Sequence, residues 1–240
     1  MFQILNSRYL KIIAVVSMLV DHIGMILLPE QAWMRIIGRI AFPLFCFLIA
    51  FGATKTRSLW KYFLRLLVFA FISQVLISLA IWEIRLDKLN IFFTLSAGVL
   101  CIILFKRAIN LIVRDQDKPF VVIHFLTSAF AIAFIMAVAQ VFNFDYGMSG
   151  VLLMILFYIV FLTKKFAKYH QLILWGGAFI SLALFNYLFI NFYGYGIQLY
   201  SMTTIVFIAL FCERHIKIPK WERWMFYVFY PLHLVVLYLI

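Results

Sequence analysis

The chain has 240 residues, of which 67% are apolar and 12% are charged, and its mean hydropathy is +1.07. Soluble domains carry about a quarter charged residues, so this composition excludes a soluble globular protein. The net charge of +12 would suggest nucleic-acid binding in a soluble protein, but in a membrane protein basic residues collect in cytoplasmic loops. We predict an all-α, polytopic bundle in a lipid bilayer, with residues 1–240 forming a single domain and no nucleic-acid partner.

Nine apolar runs are long enough, at about 17–25 residues, to form spanning helices. In chain order they cover about residues 9–28, 33–52, 60–81, 89–106, 119–141, 147–163, 171–190, 196–212 and 222–240. The first run is too long for the apolar part of a signal peptide and lacks a small-residue cleavage site, so we expect it to be retained. Short connections predict that successive helices pack as antiparallel neighbours.

Basic residues divide unequally between the two ends of these runs. One end carries 17 of them, namely Arg8, Lys11, Lys55, Arg57, Lys61, Arg65, Lys106, Arg107, Arg114, Lys118, Lys164, Lys165, Lys168, Arg214, Lys217, Lys220 and Arg223. The other end carries only Arg35, Arg85 and Lys88, while Arg39 falls inside a run. Because lysine and arginine accumulate on the cytoplasmic side, we predict a cytoplasmic N-terminus and an external C-terminus.

Four ionisable residues lie inside apolar runs: Asp21 and His22 in the first, Arg39 in the second and His233 in the ninth. At about 1.5 Å per residue, His22, Arg39 and His233 each fall roughly 9–10 Å below the external end. Such groups are costly in hydrocarbon and tend to line an interior, so a shared cavity is predicted. Histidine accepts protons near neutral pH, and Asp21, about 100° around the helix, is free to pair with Arg39. The alternative is a structural ion pair beside a core histidine.

Polar residues near the external ends of other runs are weaker candidates. Pro43 frees the carbonyl of Arg39 and predicts a kink beside the guanidinium, which would bind an anionic group or neutralise Asp21. Tyr230 and His233 share a helix face, so both could take part in a reaction site. The alternative is a structural histidine that is hydrogen-bonded to a neighbouring hydroxyl. The candidates for substrate contact are Asn90, Thr94, Tyr146, Gly147 and Tyr230. Weaker polar positions are Asp145, Ser149, Gln198 and Ser201, of which Asp145 would alternatively cap a helix and the serines would alternatively join helices by hydrogen bonds.

Several motifs of soluble enzymes are absent. The sequence has no phosphate-binding glycine loop, no metalloprotease motif and no metal-site spacing among its three cysteines, so we predict no metal. The basic clusters at 55–65 and 164–168 are explained by topology. They would alternatively hold the phosphates of a cytosolic nucleotide-bearing donor, through Lys55, Arg57, Lys61, Lys164 and Lys165.

Five stretches carry a resemblance to a known family: LKIIAVVSMLVDHIG (10–24), GRIAFPLFCFLIAFG (38–52), LNIFF (89–93), DYGMSGVLLM (145–154) and FYPLHLVVLY (229–238). In this order the chain resembles the TraX family, membrane proteins linked to conjugative transfer and to N-terminal acetylation of pilin. The resemblance implies kinship with integral-membrane acyltransferases that use cytosolic acyl-CoA, in the bacterial cytoplasmic (inner) membrane. It matches His22 to the motif histidine with Asp21 beside it, and also matches Arg39 and His233. Asn90, Tyr146 and Gly147 match lesser motif positions.

The resemblance implies an acetyltransferase that uses acetyl-CoA. Its acceptor would be an external amine, as at a pilin N-terminus, or a hydroxyl of a surface glycan. His22 would act as general base or transient acyl carrier, while Arg39, Asn90 or His233 stabilises the oxyanion. His22 must be neutral for this, so we expect activity to fall at acid pH. One alternative is a proton-coupled transporter or flippase that uses Asp21, His22 and Arg39; another is an assembly factor whose polar layer only joins helices.

Overall fold

The computed structural model describes residues 4–81, 87–114, 118–163, 170–213 and 219–240, and the regular elements in these ranges are all helices. Two isolated β-bridges, Leu5 with Phe211 and Leu89 with Phe144, join segments between them. The helices are α1 (Ser7–Ile26), α2 (Ala32–Gly38), α3 (Ala41–Lys55), α4 (Leu59–Ala80), α5 (Ile91–Arg114), α6 (Lys118–Val141), α7 (Gly147–Thr163), α8 (His170–Tyr193), a 3₁₀ helix (Gly196–Thr203), α9 (Thr204–Ala209) and α10 (Lys220–Leu239).

Six helical segments among the described residues are long and apolar enough to cross a membrane. They are Ser7–Ile26, Ala32–Lys55, Leu59–Ala80, Ile91–Val113, Pro119–Val141 and His170–Tyr193. Three shorter apolar helices, Gly147–Thr163, Gly196–Ala209 and Trp224–Leu239, coincide with the three remaining predicted runs. The all-helical architecture with several potential membrane spans is therefore confirmed, and the count of nine spans stays a prediction.

The centre of the bundle is formed by α3 and α7, in which most residues are buried. Both are apolar around their whole circumference, as expected for helices surrounded by other helices. α3 packs against α1, α5 and α7, and α7 also contacts α6 and α8. The ring of Phe47 lies 4.9–5.6 Å, centroid to centroid, from the rings of Phe157, Phe161 and Phe211. Together with Phe51, which packs on two of these rings, they are called the aromatic core.

Small residues allow the neighbouring helices to approach α7 closely. A Cβ atom at Gly98 of α5 would meet the side chain of Met154, and one at Gly177 of α8 would meet Val160. Close backbone contact through glycine is a common device of helix packing in membranes, where apolar burial alone does not drive association. By contrast, α6 lies outside the bundle against α5 and α7, and its apolar side chains are largely exposed, as for a lipid-facing helix.

The kink that Pro43 predicts takes the form of a two-residue break in the helical hydrogen bonds, at Arg39 and Ile40 between α2 and α3, with both residues still in the right-handed helical region. Proline cannot donate to the carbonyl four residues back, which is that of Arg39. The preceding turn tightens, so that Arg39 N donates to Ile36 O and Ile40 N to Ile37 O, both at 3.2 Å. Pro43 itself lies in the first turn of α3, where its missing N–H group is tolerated.

The alternating helices give the bundle two distinct ends. The basic end contains the start of α1 and α4 and the end of α3 and α5, with Arg8, Lys11, Lys55, Arg57, Lys61, Arg65, Lys106 and Arg107. The opposite end, here called the cavity end, contains the end of α1, the start of α2 and the segments 87–90 and 143–146. Arg85, Lys164, Lys165, Lys168, Arg214 and Lys217 lie outside the described residues. That the basic end faces the cytoplasm stays a prediction.

Cysteine labelling tests this orientation. In a Cys212→Ser background, Glu30→Cys at the cavity end should react with a membrane-impermeant maleimide applied from outside. Arg107→Cys at the basic end should react only after lysis, because basic loops remain cytoplasmic. The buried Cys46 and Cys101 provide an unreactive background. Labelling of Arg107→Cys before lysis would reverse the orientation.

Candidate active site

A cavity of about 680 Å³ lies at the cavity end, a volume that suits a small-molecule site. Its walls come from α1, α2, α3, α5, α8, the 3₁₀ helix and α10 and from the segments that precede α5 and α7. The charged lining residues are Asp21, Arg35, Arg39, Asp87, Lys88 and Asp145. Its rings belong to His22, Phe42, Phe45, Phe92, Phe144, Tyr146, Phe189, Tyr193, Tyr195, Phe226 and Tyr230. The cavity therefore combines a titratable base with charged groups and aromatic walls.

Asp21 and Arg39 form a buried ion pair, each residue being only 8% exposed. Nη2 of Arg39 donates to both carboxylate oxygens of Asp21, at 2.8 and 2.9 Å. A second guanidinium, that of Arg35, contacts Asp21 Oδ2 at 2.9 Å through Nη1. Gly38 permits this arrangement, because a Cβ atom there would collide with the carboxylate. The break after α2 thus places two arginines, one in α2 and one directly after it, against a single aspartate of α1.

Arg39 also completes the hydrogen bonds of the interrupted helix. Its Nε donates to the carbonyl of Arg35 at 3.1 Å, and its Nη1 donates to Gln198 Oε1 at 3.3 Å. The carbonyls in the last turn of a helix lack partners within the helix, and here the guanidinium supplies one. All three nitrogens of Arg39 are therefore occupied by protein acceptors.

His22 and His233 form a hydrogen-bonded pair across α1 and α10. Nδ1 of His22 lies 2.7 Å from Nε2 of His233, and Nδ1 of His233 lies 2.8 Å from the carbonyl of Phe229. A carbonyl only accepts, so in the neutral pair His233 carries its proton on Nδ1 and accepts on Nε2. His22 must then donate from Nδ1. This assignment leaves Nε2 of His22 with a free lone pair. The residue His22 lines the cavity.

The surroundings of the histidine pair differ from one of the sequence-based alternatives. Tyr230 lies edge-on to His22, with centroids 6.4 Å apart, but the hydrogen bonds of His233 go to His22 and Phe229 rather than to a hydroxyl. Asp21 pairs with Arg39, as its position on a different helix face from His22 allowed, and it also pairs with Arg35. Within the described part of the chain, no group of three or more His, Cys, Asp or Glu side chains is placed to hold a metal ion.

The five predicted substrate-contact residues divide into two groups. Tyr146 and Tyr230 line the cavity, whereas Asn90, Thr94 and Gly147 do not. Asn90 donates to Ala70 O at 2.8 Å and to Gln74 Oε1 at 2.9 Å, and its own Oδ1 accepts from Phe92 N. Thr94 donates its hydroxyl proton to the carbonyl of Asp145. The side chains of Asn90 and Thr94 thus fix the segments around the cavity.

Tyr146 forms one wall of the cavity in an unusual backbone conformation. Its φ is 64° and that of Gly147 is 46°, both in the left-handed region, which costs a residue other than glycine about 1–3 kcal/mol. The Tyr146 ring stacks on Phe42 with a centroid distance of 3.8 Å and an interplanar angle of 2°. Burial raises the pKa of the Tyr146 phenol to about 12, so it stays protonated. At Gly147, a Cβ atom would collide with Gln140 and with the hydroxyl of Tyr193.

Four charged residues of the cavity, Arg35, Asp87, Lys88 and Asp145, were missed or underrated by the sequence analysis. Arg35 and Lys88 were counted only as external basic residues, although Arg35 precedes Arg39 by four positions and therefore shares its helix face. Lys88 and Asp145 form an ion pair at 3.2 Å, and this carboxylate raises the pKa of Lys88 above its usual value. Backbone hydrogen bonds from Leu89 N and to Leu89 O tie the same two segments together.

The predicted donor-binding cations lie away from the cavity. Lys55, Arg57 and Lys61 are exposed at the basic end, where Lys55 Nζ is 3.7 Å from a carboxylate oxygen of Glu213. The length of α3, roughly 20 Å, separates them from the cavity. Lys164 and Lys165 lie outside the described residues. A donor held at the basic end would therefore have to reach through most of the bundle.

Removing the charge of Asp21 tests the importance of the ion pair. Asp21→Asn leaves two guanidiniums without a counter-charge, so we expect it to destabilise the fold by about 3–5 kcal/mol. Chemical unfolding in detergent measures this loss. Asp87→Asn is the matched control, because that carboxylate is exposed at the same end. Equal stability of the two variants would show that the pair is dispensable for folding.

Comparisons with known proteins show to which family the chain belongs. The chain is 30% identical over 115 residues to the probable fimbrial assembly protein FimC, serogroup H1, of Dichelobacter nodosus, which is 41% of this chain and 46% of that protein. It is 53% identical over 51 residues to the uncharacterized protein RP591 of Rickettsia prowazekii (strain Madrid E), which is 20% of this chain and 21% of that protein. The chain thus spans less than half the length of these two relatives, and no solved structure matches it significantly. A family model described as TraX protein matches residues 6–240, and the chain therefore belongs to the TraX family.

Proposed function

We propose that this protein transfers an acetyl group from acetyl-CoA to an amine or hydroxyl acceptor in the cavity, with His22 as general base. The hydrogen bond from His22 Nδ1 to His233 Nε2 carries this proposal, because it leaves Nε2 of His22 able to accept a proton. Membership of the TraX family, and the fimbrial assembly role in the name of FimC, support an amine acceptor of the pilin type.

In the proposed reaction the acceptor nitrogen or oxygen attacks the thioester carbonyl carbon, forming a C–N or C–O bond. Its proton passes to Nε2 of His22 as the attack proceeds. The tetrahedral intermediate then collapses with cleavage of the C–S bond, and the departing thiolate takes the proton from His22. His22 returns to its neutral form and CoA leaves as the thiol, so protons and electrons balance. Such proton transfer typically accelerates a reaction by about 10²–10⁴-fold.

His233 acts as the positioning residue for His22. Its Nδ1–H donates to the carbonyl of Phe229, which fixes the tautomer, and its Nε2 holds the ring of His22 in place. The two rings are nearly parallel, at 16°, with centroids 4.9 Å apart. His233 does not line the cavity, so we assign it no direct contact with the acceptor.

The arrangement of Asp21 favours acid–base catalysis by His22 over a proton relay. A relay would need Asp21, His22 and Arg39 to exchange protons. Instead both oxygens of Asp21 accept from guanidinium groups, and the partner of His22 is His233. Arginine is too basic to pass a proton on. The ion pair is therefore assigned a structural role beside the base.

Access of the donor is the most demanding step of this proposal. Phosphates of acetyl-CoA would dock at Lys55, Arg57 and Lys61, and the predicted contributions of Lys164 and Lys165 belong to the same surface. The aromatic core lies between these cations and the cavity, and Phe47 and Phe211 are each only 1% exposed. The acyl arm would therefore have to displace these rings during each turnover.

Replacing the histidines tests the mechanism. His22→Ala should reduce acetyl transfer by about 10²–10⁴-fold, because the base is lost. His233→Ala should reduce it less, and the double variant should be no worse than His22→Ala, since the two rings act as a unit. Mass spectrometry of extracellular proteins and glycans, with and without the protein, measures the gain of one acetyl group.

A histidine of α6 provides the matched control. His124 packs on Phe120 on the outer helix, and His124→Ala should leave transfer unchanged. Wild-type turnover by His22→Ala would remove His22 from the mechanism. Uptake or lipid flipping by proteoliposomes that contain no acetyl-CoA would favour the transporter alternative instead.

A further inference from the structure

Arg35 has hydrogen-bond donors that no group in the described part of the chain uses. Its Nη1 contacts Asp21 Oδ2 at 2.9 Å and donates to the main-chain carbonyl of Asp21 at 3.1 Å. Its Nε and Nη2 have no acceptor among the residues that the structure describes. The side chain lines the cavity and is 29% exposed, compared with 10% for Arg39. Arg35 is therefore the arginine that a ligand in the cavity can reach.

Arg39 does not share this property. Its three nitrogens are all engaged, by Asp21, Gln198 and the carbonyl of Arg35. Withdrawing any of them would leave a buried polar group unpaired, which is unfavourable in a site shielded from water. A role in binding anions, predicted for Arg39 from the sequence, therefore fits Arg35 better.

Within the described part of the chain, the side chains in direct contact around Arg35 form a cluster of two guanidiniums and one carboxylate. Asp21 is a single carboxylate between two guanidiniums. Lys88 is paired with Asp145, and the charge of Arg35 opposes its protonated form. Asp87 also lines the cavity, but it is exposed to solvent. A ligand group with one negative charge would balance the inner cluster.

We propose that Arg35 binds a carboxylate of the acceptor, so that the acceptor is an acidic peptide whose amine reaches His22. This inference rests on the proposed function and names its substrate class. The Nε–Nη2 edge of a guanidinium matches the two oxygens of a carboxylate, and the single negative charge of that carboxylate would balance the cluster of Asp21, Arg35 and Arg39. Arg35 precedes Arg39 by about one helical turn, and its side chain is the more exposed of the two.

Equilibrium binding without acetyl-CoA tests this inference separately from catalysis. The probes are short peptide amides with a free amino terminus and one glutamate at successive positions, each paired with the glutamine peptide. Isothermal titration of the purified wild-type protein should show at least one glutamate peptide binding about tenfold or more tightly than its glutamine partner. Arg35→Gln should abolish this difference, and Arg35→Lys should retain part of it because the charge remains.

Two controls make the result decisive. Arg107→Gln removes one positive charge at the basic end and should keep the full preference for glutamate. Thermal unfolding should show that Arg35→Gln is folded, since the bond between Asp21 and Arg39 remains.

Equal binding of all glutamate and glutamine pairs by the wild type, or a preference that survives Arg35→Gln, would overturn the inference. Tighter binding of inorganic phosphate than of every peptide would overturn the assignment to an acidic peptide. A missing acetyl transfer in the presence of this preference would refute the catalytic proposal alone.

Discussion

The contact on which the whole site depends is that between one carboxylate and two guanidiniums inside the bundle. An isolated charge would be very costly there, so Asp21 and Arg39 stabilise each other, and Arg35 places a second guanidinium on the same carboxylate. Their association requires α2 to end where it does and Gly38 to lack a side chain. It also fixes α2 against α1, so that the wall of the cavity is set by electrostatics as much as by apolar packing.

Much of this site could be predicted from residue types alone. Asp21, His22, Arg39 and His233 are conspicuous because charge and imidazole are rare in apolar runs, and helix arithmetic places them at one depth. Sequence could not show which arginine is occupied, because the three partners of Arg39 depend on the path of the chain after the interruption. Arg35 was hidden because a basic residue near a helix end has a sufficient explanation in topology.

The fold was predictable in its helices and less so in its details. Apolar runs gave the helical segments, but not the division of one run into α2 and α3 or the 3₁₀ turn before α9. Those features follow from local hydrogen bonding around Pro43 and from tertiary packing. Asn90 and Thr94 show the same limit, because a polar side chain at a helix end can bind either a ligand or a backbone group. Here both side chains donate hydrogen bonds to backbone carbonyls.

The cavity and the exposed cations of the basic end lie at opposite ends of the bundle, so a reaction that used both would have to connect them through the interior. The rings of Phe47, Phe51 and Phe161 fill the middle of the bundle along α3, so a thioester arriving from the basic end meets a sealed interior. The packing of these rings is tight, since Phe47 and Phe161 are only 1% and 2% exposed. It makes the conformational freedom of these rings, rather than the reactivity of the base, a candidate for the slow step.

The histidine pair has a consequence for biogenesis. Its two members are 211 positions apart, one on α1 and the other on α10. Helices enter a membrane in the order of their synthesis, so the first imidazole waits without its partner until α10 has been inserted. The hydrogen bond between the two imidazoles is thus completed only after α10 has been made, and in the proposed mechanism the base gains its positioning partner last.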